Sequence, residues 1–418
     1  MTVKIGVIAD DFTGATDIAG FMSQQGWRVV LLTGQPQAEM PWNDDADAIV
    51  ISLKSRSLDP EEAVARSLAC YRWLTEQARA LQIYFKYCST FDSTPRGNIG
   101  PVSDALMAHS GVPMIVHCPA LPQNGRTVVH GHLFVNGTLL NQSGMENHPL
   151  NPMKDARIAA LLAPQTTGKT GLIDLATIHL GQGAIADRLH ALRSAGVNHV
   201  IVDALSEEDL NTLAQALYCL PLLAGGSGLG GALAALRPSA YAPGDDRVPM
   251  PPARTVIFSG SCSLMTNRQV NAWKAQGPSH RVDMARCISG DEDYIDTLVA
   301  WAVAEPTTPL IYATTSAGEL ARIQSQYGES VASAAVEALF SRLAVRLLAS
   351  GFNTFIVAGG ETSGTVVEAL QVKKLSVGPA IAPGVPWVYD RERQLSLALK
   401  SGNFGDEAFF FRAQELRA

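Results

Sequence analysis

The residues best suited to chemistry in the first half of the chain follow short apolar runs. They are Asp10, Asp11, Lys54, Arg56, Lys86, Asp92, Ser93, Arg96 and Asn98. This mixture of acids, cations and amides suits a small polyhydroxylated acid. Arg and Lys match its carboxylate, Arg with a planar fork, and Asp and Asn match its hydroxyls. An Asp beside a reacting hydroxyl can orient it or take its proton during phosphoryl transfer. Asp10 and Asp11 also have a plainer reading, as caps of a helix beginning near Thr13. Lys54 and Arg56 fit a solvated loop equally well.

The second half carries a different chemistry. "FSGSCS", "TTSAG", "AGGETSG" and "KSGNFG" are rich in Gly, Ser and Thr and nearly free of bulky side chains. Glycine allows close backbone approach, and a following helix offers free N–H groups and a positive dipole end to phosphate oxygens. "GGETSG" ahead of "TVVEAL" is the best such site. A single loop of this kind also reads as a tight strand-to-helix turn, but several in one half point to a phosphate-bearing nucleotide.

Other signals carry less. "GSGLGG" (226–231) fits a dinucleotide fingerprint, but the acid expected about 20 residues on would be Asp245 or Asp246, inside a Pro-rich stretch, which disfavours a nicotinamide-dependent oxidoreductase. His130 and His132 share one face if "VVHGHLFV" is a strand, yet two histidines without a third ligand do not make a zinc site. No GxxxxGK[ST], HRD or DFG signature is present, so neither the P-loop nor the protein-kinase mechanism is supported. The net charge of −7 argues against a general grip on nucleic acid or anionic lipid. Six scattered cysteines without a CxxC pair read as reduced thiols. No signal peptide and no apolar run of membrane-spanning length appears, so the expected location is cytoplasmic.

The elements that must position these residues alternate. "VKIGVIA", "AIVISL", "IYFKYC", "PMIVHC", "TGLIDL", "HVIVDA" and "LPLLAGG" read as strands, with helices such as Phe12 to Gly26 and Pro60 to Gln82 between them. The stretch from Arg237 to Arg254 is dense in Pro and has no periodicity. Beyond it "TVIFSGSCS", "PLIYATTS", the amphipathic Glu329 to Ser350 and "TFIVAGGETSG" renew the pattern. The expected fold is therefore two α/β domains with mostly parallel sheets, residues 1–237 and 255–418, joined by a linker at 238–254. Ligands are expected at the carboxyl ends of the strands.

The motifs "IADDFTGATD", "KYCSTFDSTPRGNIGP", "CPALPQNGRTVVHGHLFVNG", "HPLNPM", "SGSCS", "AGGETSG" and "LKSGNFG" together resemble the four-carbon acid sugar kinase family over nearly the full length. "CPALPQNGRTV" and "GHLFVNG" most resemble its 3-oxo-tetronate kinase branch rather than the threonate or erythronate kinases. The resemblance implies a substrate-binding N-terminal domain, a nucleotide-binding C-terminal domain and an active site in the cleft between them. It implies ATP and Mg²⁺ as co-substrates, and a catabolic kinase acting on the 4-hydroxyl of a four-carbon sugar acid. For the acid it points to the "DDFTGATD" loop and to Lys86, Asp92, Ser93 and Arg96. With the residue reading above, Asp10, Asp11 and Asp92 are the expected catalytic residues and Asp17, Arg56, Lys86, Ser93 and Arg96 the expected binding residues, and Asp10, Asp11, Asp17 and Asp92 all stay open as the base. For the nucleotide it points to Ser259, to Gly359, Gly360, Glu361, Thr362 and Ser363, and to Asn403 and Gly405. No residue singles itself out as a magnesium ligand. Pro95 stands where the family commonly has Leu. The expected partners are the sugar acid and ATP, with no nucleic acid or membrane and a homo-oligomer left open. The alternatives are a D-threonate or D-erythronate kinase of the same family and a non-catalytic sugar-acid sensor.

Overall fold

The computed structural model describes residues 3–147, 151–241 and 252–416. His148, Pro149 and Leu150 of "HPLNPM" and residues 242–251 of the Pro-rich stretch lie outside the described residues. The chain divides into two compact units, Met1–Asp245 and Asp246–Ala418.

The first unit is built on a parallel sheet. Its strands are β1 (Ile5–Ala9), β2 (Val29–Thr33), β3 (Ala48–Ser52), β4 (Gln82–Lys86), β5 (Ile115–Cys118), β9 (Lys169–Ile173), β10 (Val197–Val202) and β11 (Leu222–Gly225), ordered β2-β3-β1-β4-β11-β5-β10-β9. β1, β3 and β4 are buried along their whole length, which is why they read as unbroken apolar runs rather than as alternating strands. A small antiparallel sheet, β6 (Arg126–Val129), β7 (His132–Val135) and β8 (Thr138–Leu139), follows β5.

The second unit contains β12 (Thr255–Ser259), β13 (Ser279–Arg281), β14 (Leu310–Tyr312), β15 (Thr354–Ala358), β16 (Lys374–Ala382), β17 (Val385–Asp390) and β18 (Leu395–Lys400). The run β13-β14-β12-β15-β18 is parallel, and β17 and β16 continue it antiparallel. Trp387, Ile356, Leu310 and Phe409 belong to its core.

Local signals explain the joints. Asp11 caps the helix Phe12–Gln24 by accepting from the Gly14 N–H at 2.7 Å. Asp59 caps Pro60–Glu76, with Pro60 in the first turn and two acids behind it. That helix stops at Glu76, short of the expected Gln82. Arg79 turns the chain with φ 53°, and Gln82 already opens β4.

"VVHGHLFV" is not one strand but a hairpin. His130 and Gly131 turn it with φ 47° and 70°, so the two histidines do not share a strand face. The backbone N–H groups of His130 and Gly131 donate to Asp203 at 2.7 and 2.8 Å, which holds the turn. "GSGLGG" enters the helix Ser227–Ala235, and its glycines serve close packing. A Cβ on Gly230 would come within 2.6 Å of Ile18, and one on Gly228 within 2.8 Å of the Ala120 carbonyl. Among the described residues no helix is long and apolar enough to cross a membrane. All six cysteines are free.

Candidate functional site

β1, β3 and β4 end at the same level, because Ala9 pairs with Ser52 on one side and Lys86 on the other. The loops that follow are tied together. The Asp10 N–H donates to the Lys86 carbonyl at 3.0 Å, and the Asp10 carbonyl accepts from Ser55 and Arg56 at 2.9 and 3.2 Å. The side chains of Asp10, Asp11, Arg56 and Lys86 are therefore delivered to one edge by backbone hydrogen bonding.

Arg56 is the hub. Its Nε and Nη2 fork onto Asp10 at 2.9 and 2.8 Å, while Nη1 lies 3.0 Å from Asp11 and 3.6 Å from Asp92. Burial pushes the Asp10 carboxyl above the ordinary carboxylate value, with Arg56 working against it. Burial also works to raise Asp11, but Arg56, Lys86 and the Gly14 N–H bring it below its ordinary value. Asp17, inside the helix Phe12–Gln24, is pushed by burial up to about 6, although Lys86 and the Ser227 hydroxyl favour its charged form. Ser227 Oγ donates to its Oδ2 at 2.5 Å.

Lys86 is 2% exposed, and its Nζ donates to the Tyr87 carbonyl at 2.7 Å. Gly14 leaves it room, since a Cβ there would lie 3.1 Å from Nζ. The "STFDS" loop is strained at Phe91, a buried residue with φ 50°. That turn carries Asp92, whose Oδ1 is buried without a hydrogen-bond partner, as is Oδ1 of Asp17. Ser93 donates to Gln165 at 3.3 Å. Asn98 staples the loop after β3 through the carbonyls of Ser55, Arg56 and Leu58. Arg96 and Lys54 are exposed.

In the second unit a cavity of about 310 Å³ lies beyond the carboxyl ends of β12 and β15. Gly260, Ser261, Cys262 and Gly359 to Thr362 line one side, and Leu320, Ile323 and Val336 supply apolar wall. The glycines are required. A Cβ on Gly260 would fall 2.2 Å from Thr362 Oγ1, and Gly359 has φ 131° with its Cβ position 2.9 Å from the same atom. The helix Gly360–Ala369 starts at this point.

Among the expected nucleotide residues, Gly359, Gly360, Glu361 and Thr362 line this cavity. Ser259 does not line it; its Oγ pairs with Thr314 Oγ1 at 2.6 Å inside the sheet. Ser363 is buried with an unpartnered Oγ. Asn403 is exposed, and Gly405 packs on Phe409. Their loop nevertheless meets "SGSCS", because a Cβ on Gly402 would lie 2.7 Å from Ser261 Oγ.

Sequence reasoning passed over Lys400. It ends β18, is fully buried, and its Nζ donates to Thr266 Oγ1, Ser401 O and Gly402 O at 3.0, 2.9 and 2.9 Å. Burial pushes its ammonium down to about 7. A lysine closing the apolar run "LSLALK" was the available signal, the counterpart of Lys86 closing β4. Arg126 and Asn124, in the quoted "PQNGR", were likewise given no role.

Residues 5–233 match the model of a sugar-binding N-terminal domain, and residues 256–410 match that of a nucleotide-binding C-terminal domain. The protein is thus of the class that pairs a sugar-binding domain with a nucleotide-binding one. The chain belongs to the four-carbon acid sugar kinase family, phosphotransferases with an alcohol group as acceptor. It is 49% identical to the 3-oxo-tetronate kinase of Brucella melitensis, over 99% of this chain and 96% of that protein. It is 48% identical to the 3-oxo-tetronate kinase of Salmonella typhimurium, over 99% of both. A crystal structure from Salmonella typhimurium LT2 matches with a TM-score of 0.89 at 47% identity, over 99% of this chain and all of that one. A Haemophilus influenzae structure matches at 0.79 and 44%, over 99% and 100%.

Proposed function

We propose that this protein is a cytoplasmic 3-oxo-tetronate kinase that moves the γ-phosphoryl group of ATP onto the 4-hydroxyl of its acid. The observation that carries the reading is the set of open carboxylate oxygens, Asp17 Oδ1 and Asp92 Oδ1, buried at an edge that also holds Lys86 and Arg56. Buried acceptors without partners are costly unless a ligand donates to them. The hydroxyls of a sugar acid are such donors. The choice of acid follows the curated relatives, named 3-oxo-tetronate kinases at 49% and 48% identity.

The cavity of the second unit fits a nucleotide. Its glycine wall lets phosphate oxygens approach the backbone at a helix start, and its apolar wall suits a base. Glu329, Glu337 and Glu361 are the carboxylates that line it, and among the described residues no three acidic, His or Cys side chains gather into a metal-holding group, so a magnesium ion would be held largely by phosphate and water. When bound, ATP with Mg²⁺ supplies the phosphoryl group and neutralises part of its charge.

The chain's own residues do the rest. Asp17, whose proton is lost near pH 6, accepts the proton of the attacking hydroxyl, a role that favours a base poised near the working pH. Asp92 orients the hydroxyls. Asp10 and Asp11 act through Arg56, keeping the guanidinium and the loop after β3 in place. Lys86 offsets the negative charge gathered at the edge.

The test is ADP release by the purified protein with Mg²⁺ and a panel of 3-oxo-tetronate, D-threonate, D-erythronate and L-threonate, with the phosphorylated carbon located by NMR. Turnover on the 3-oxo acid at carbon 4 is the expected result. Turnover on a hydroxy acid instead overturns the choice of acid, and turnover on none favours a sugar-acid sensor.

A further inference from the structure

A four-carbon acid needs fixed donors for its carboxylate as well as acceptors for its hydroxyls, and most cations at the first unit's edge are otherwise engaged. Arg56 is shared among three acids. Lys86 donates to the Tyr87 carbonyl and lies among Asp10, Asp11 and Asp17. Arg96 is exposed.

The turn after β5 is different. Arg126 Nη1 donates to the Asn124 carbonyl, but its Nε is buried with no hydrogen-bond partner. Asn124 Nδ2, two residues away, is buried and unpartnered too. Two such donors on one turn each carry a desolvation cost that an anion would relieve.

The turn is also stiff. Leu121 and Arg126 exchange backbone hydrogen bonds at 2.8 and 3.1 Å, and a short 3-10 turn, Pro122–Asn124, closes between them. Gly125 completes it with φ 70°, and a Cβ there would strike Asn136 Oδ1 at 2.0 Å. Donors held in this way lose little freedom when they bind. The turn stands at the same edge as Lys86, since Gly225 of β11 pairs with Lys86 on one side and with Cys118, the last residue of β5, on the other. Electrostatics point the same way. Burial pushes the Arg126 guanidinium below its ordinary value, while Cys88 and Asp17 pull it back, so its charge lies within range of the carboxylate assigned to the reacting hydroxyl.

We infer that Arg126 and Asn124 form the seat for the substrate's carboxylate, with Arg126 the residue that selects an acid over a neutral sugar. The inference rests on the function proposed above. The acid then spans the edge, its carboxylate on the "PQNGR" turn and its far hydroxyl toward Asp17. Arg126 binds and selects, and takes no proton.

The experiment compares wild type with Arg126→Gln and Arg126→Lys on 3-oxo-tetronate and on erythrulose, the neutral ketose with CH₂OH in place of the carboxylate. Arg126→Gln is expected to lower the acid-to-erythrulose ratio of kcat/KM by about 30-fold, mainly through KM for the acid, the size of one lost charge-assisted contact. Arg126→Lys keeps the charge without the fork, and is expected to fall between. If erythrulose turns over too slowly, its inhibition constant against the acid supplies the ratio. An unchanged ratio, or an equal loss on both compounds at unchanged melting temperature, overturns the seat. Calorimetry of acid binding without nucleotide separates this from failure of the kinase reading. Acid binding that is present in wild type and lost in Arg126→Gln supports the seat even without turnover, and wild type that neither binds nor turns over any acid overturns both.

Discussion

Lys86 and Lys400 occupy equivalent places in the two domains. Each is the last residue of a strand with a parallel neighbour, each is buried, and each turns its ammonium back onto the carbonyl of the next residue, at 2.7 and 2.9 Å. Their surroundings differ. Lys86 lies among three carboxylates, whereas Lys400, among the described residues, meets neutral oxygens and the ring of Phe409. The same backbone position therefore yields a charge-balanced centre in one domain and, in the other, a lysine whose burial brings it down to about 7. Strand ends set where a side chain goes; the neighbours set what it does.

Lys86→Met should break the comparison most severely. It strands buried carboxylates, so a stability loss of about 3–5 kcal/mol is expected in denaturant titration, with turnover falling at least a hundredfold in whatever folds.

Lys400→Met should do the opposite, and in a pH-dependent way. The folded ammonium titrates near 7 while an unfolded lysine titrates near 10.5, so the folded state holds fewer protons between these values. The burial cost is full below pH 7 and is relieved as pH rises toward 10.5. The stability of Lys400→Met relative to wild type should thus be about 3 kcal/mol higher at pH 6.5 than at pH 9.5, and a flat difference would place Lys400 in a wetter site.

Gly359→Ala sharpens the contrast between domains. A side chain at φ 131° and 2.9 Å from Thr362 costs about 1–3 kcal/mol, which should weaken nucleotide binding and leave acid binding to the other domain intact.

Asp17 tests the comparison through pH rather than through stability. Its folded carboxyl titrates near 6 against 3.8 in the ordinary state, so kcat/KM should fall about tenfold per pH unit below 6. Asp17→Asn should have low activity with no such limb. A limb unchanged by the substitution would assign it to another group.

The strands and most helices were legible because apolar runs, caps and glycines act locally. Asp11 was readable as a cap, and it is one. Its pairing with Arg56 across 45 residues of chain was not readable, since only the sheet register brings the two loops together. The hairpin at His130 was missed because its turn uses a non-glycine residue at φ 47°, held by a remote Asp203. Ser259 carried the right pattern for a phosphate loop, but the alternation of β12 turns its hydroxyl into the sheet toward Thr314. Arg126 escaped notice because the unpartnered state of its Nε is a property of packing, not of any local pattern.

The cysteines have a practical consequence. Cys70 and Cys118 are buried, and burial pushes their thiols up to about 12; Cys287 is buried and pushed up to about 11. Thiolates are the reactive form, so these three resist alkylating reagents at neutral pH. Cys219, by contrast, is exposed just before β11, at the end of the sheet opposite the edge that carries Asp10, Arg56 and Lys86. With Cys88 and Cys262 replaced by serine, it becomes a single attachment point for a fluorophore, placed where the dye reports on the domain without crowding its ligand.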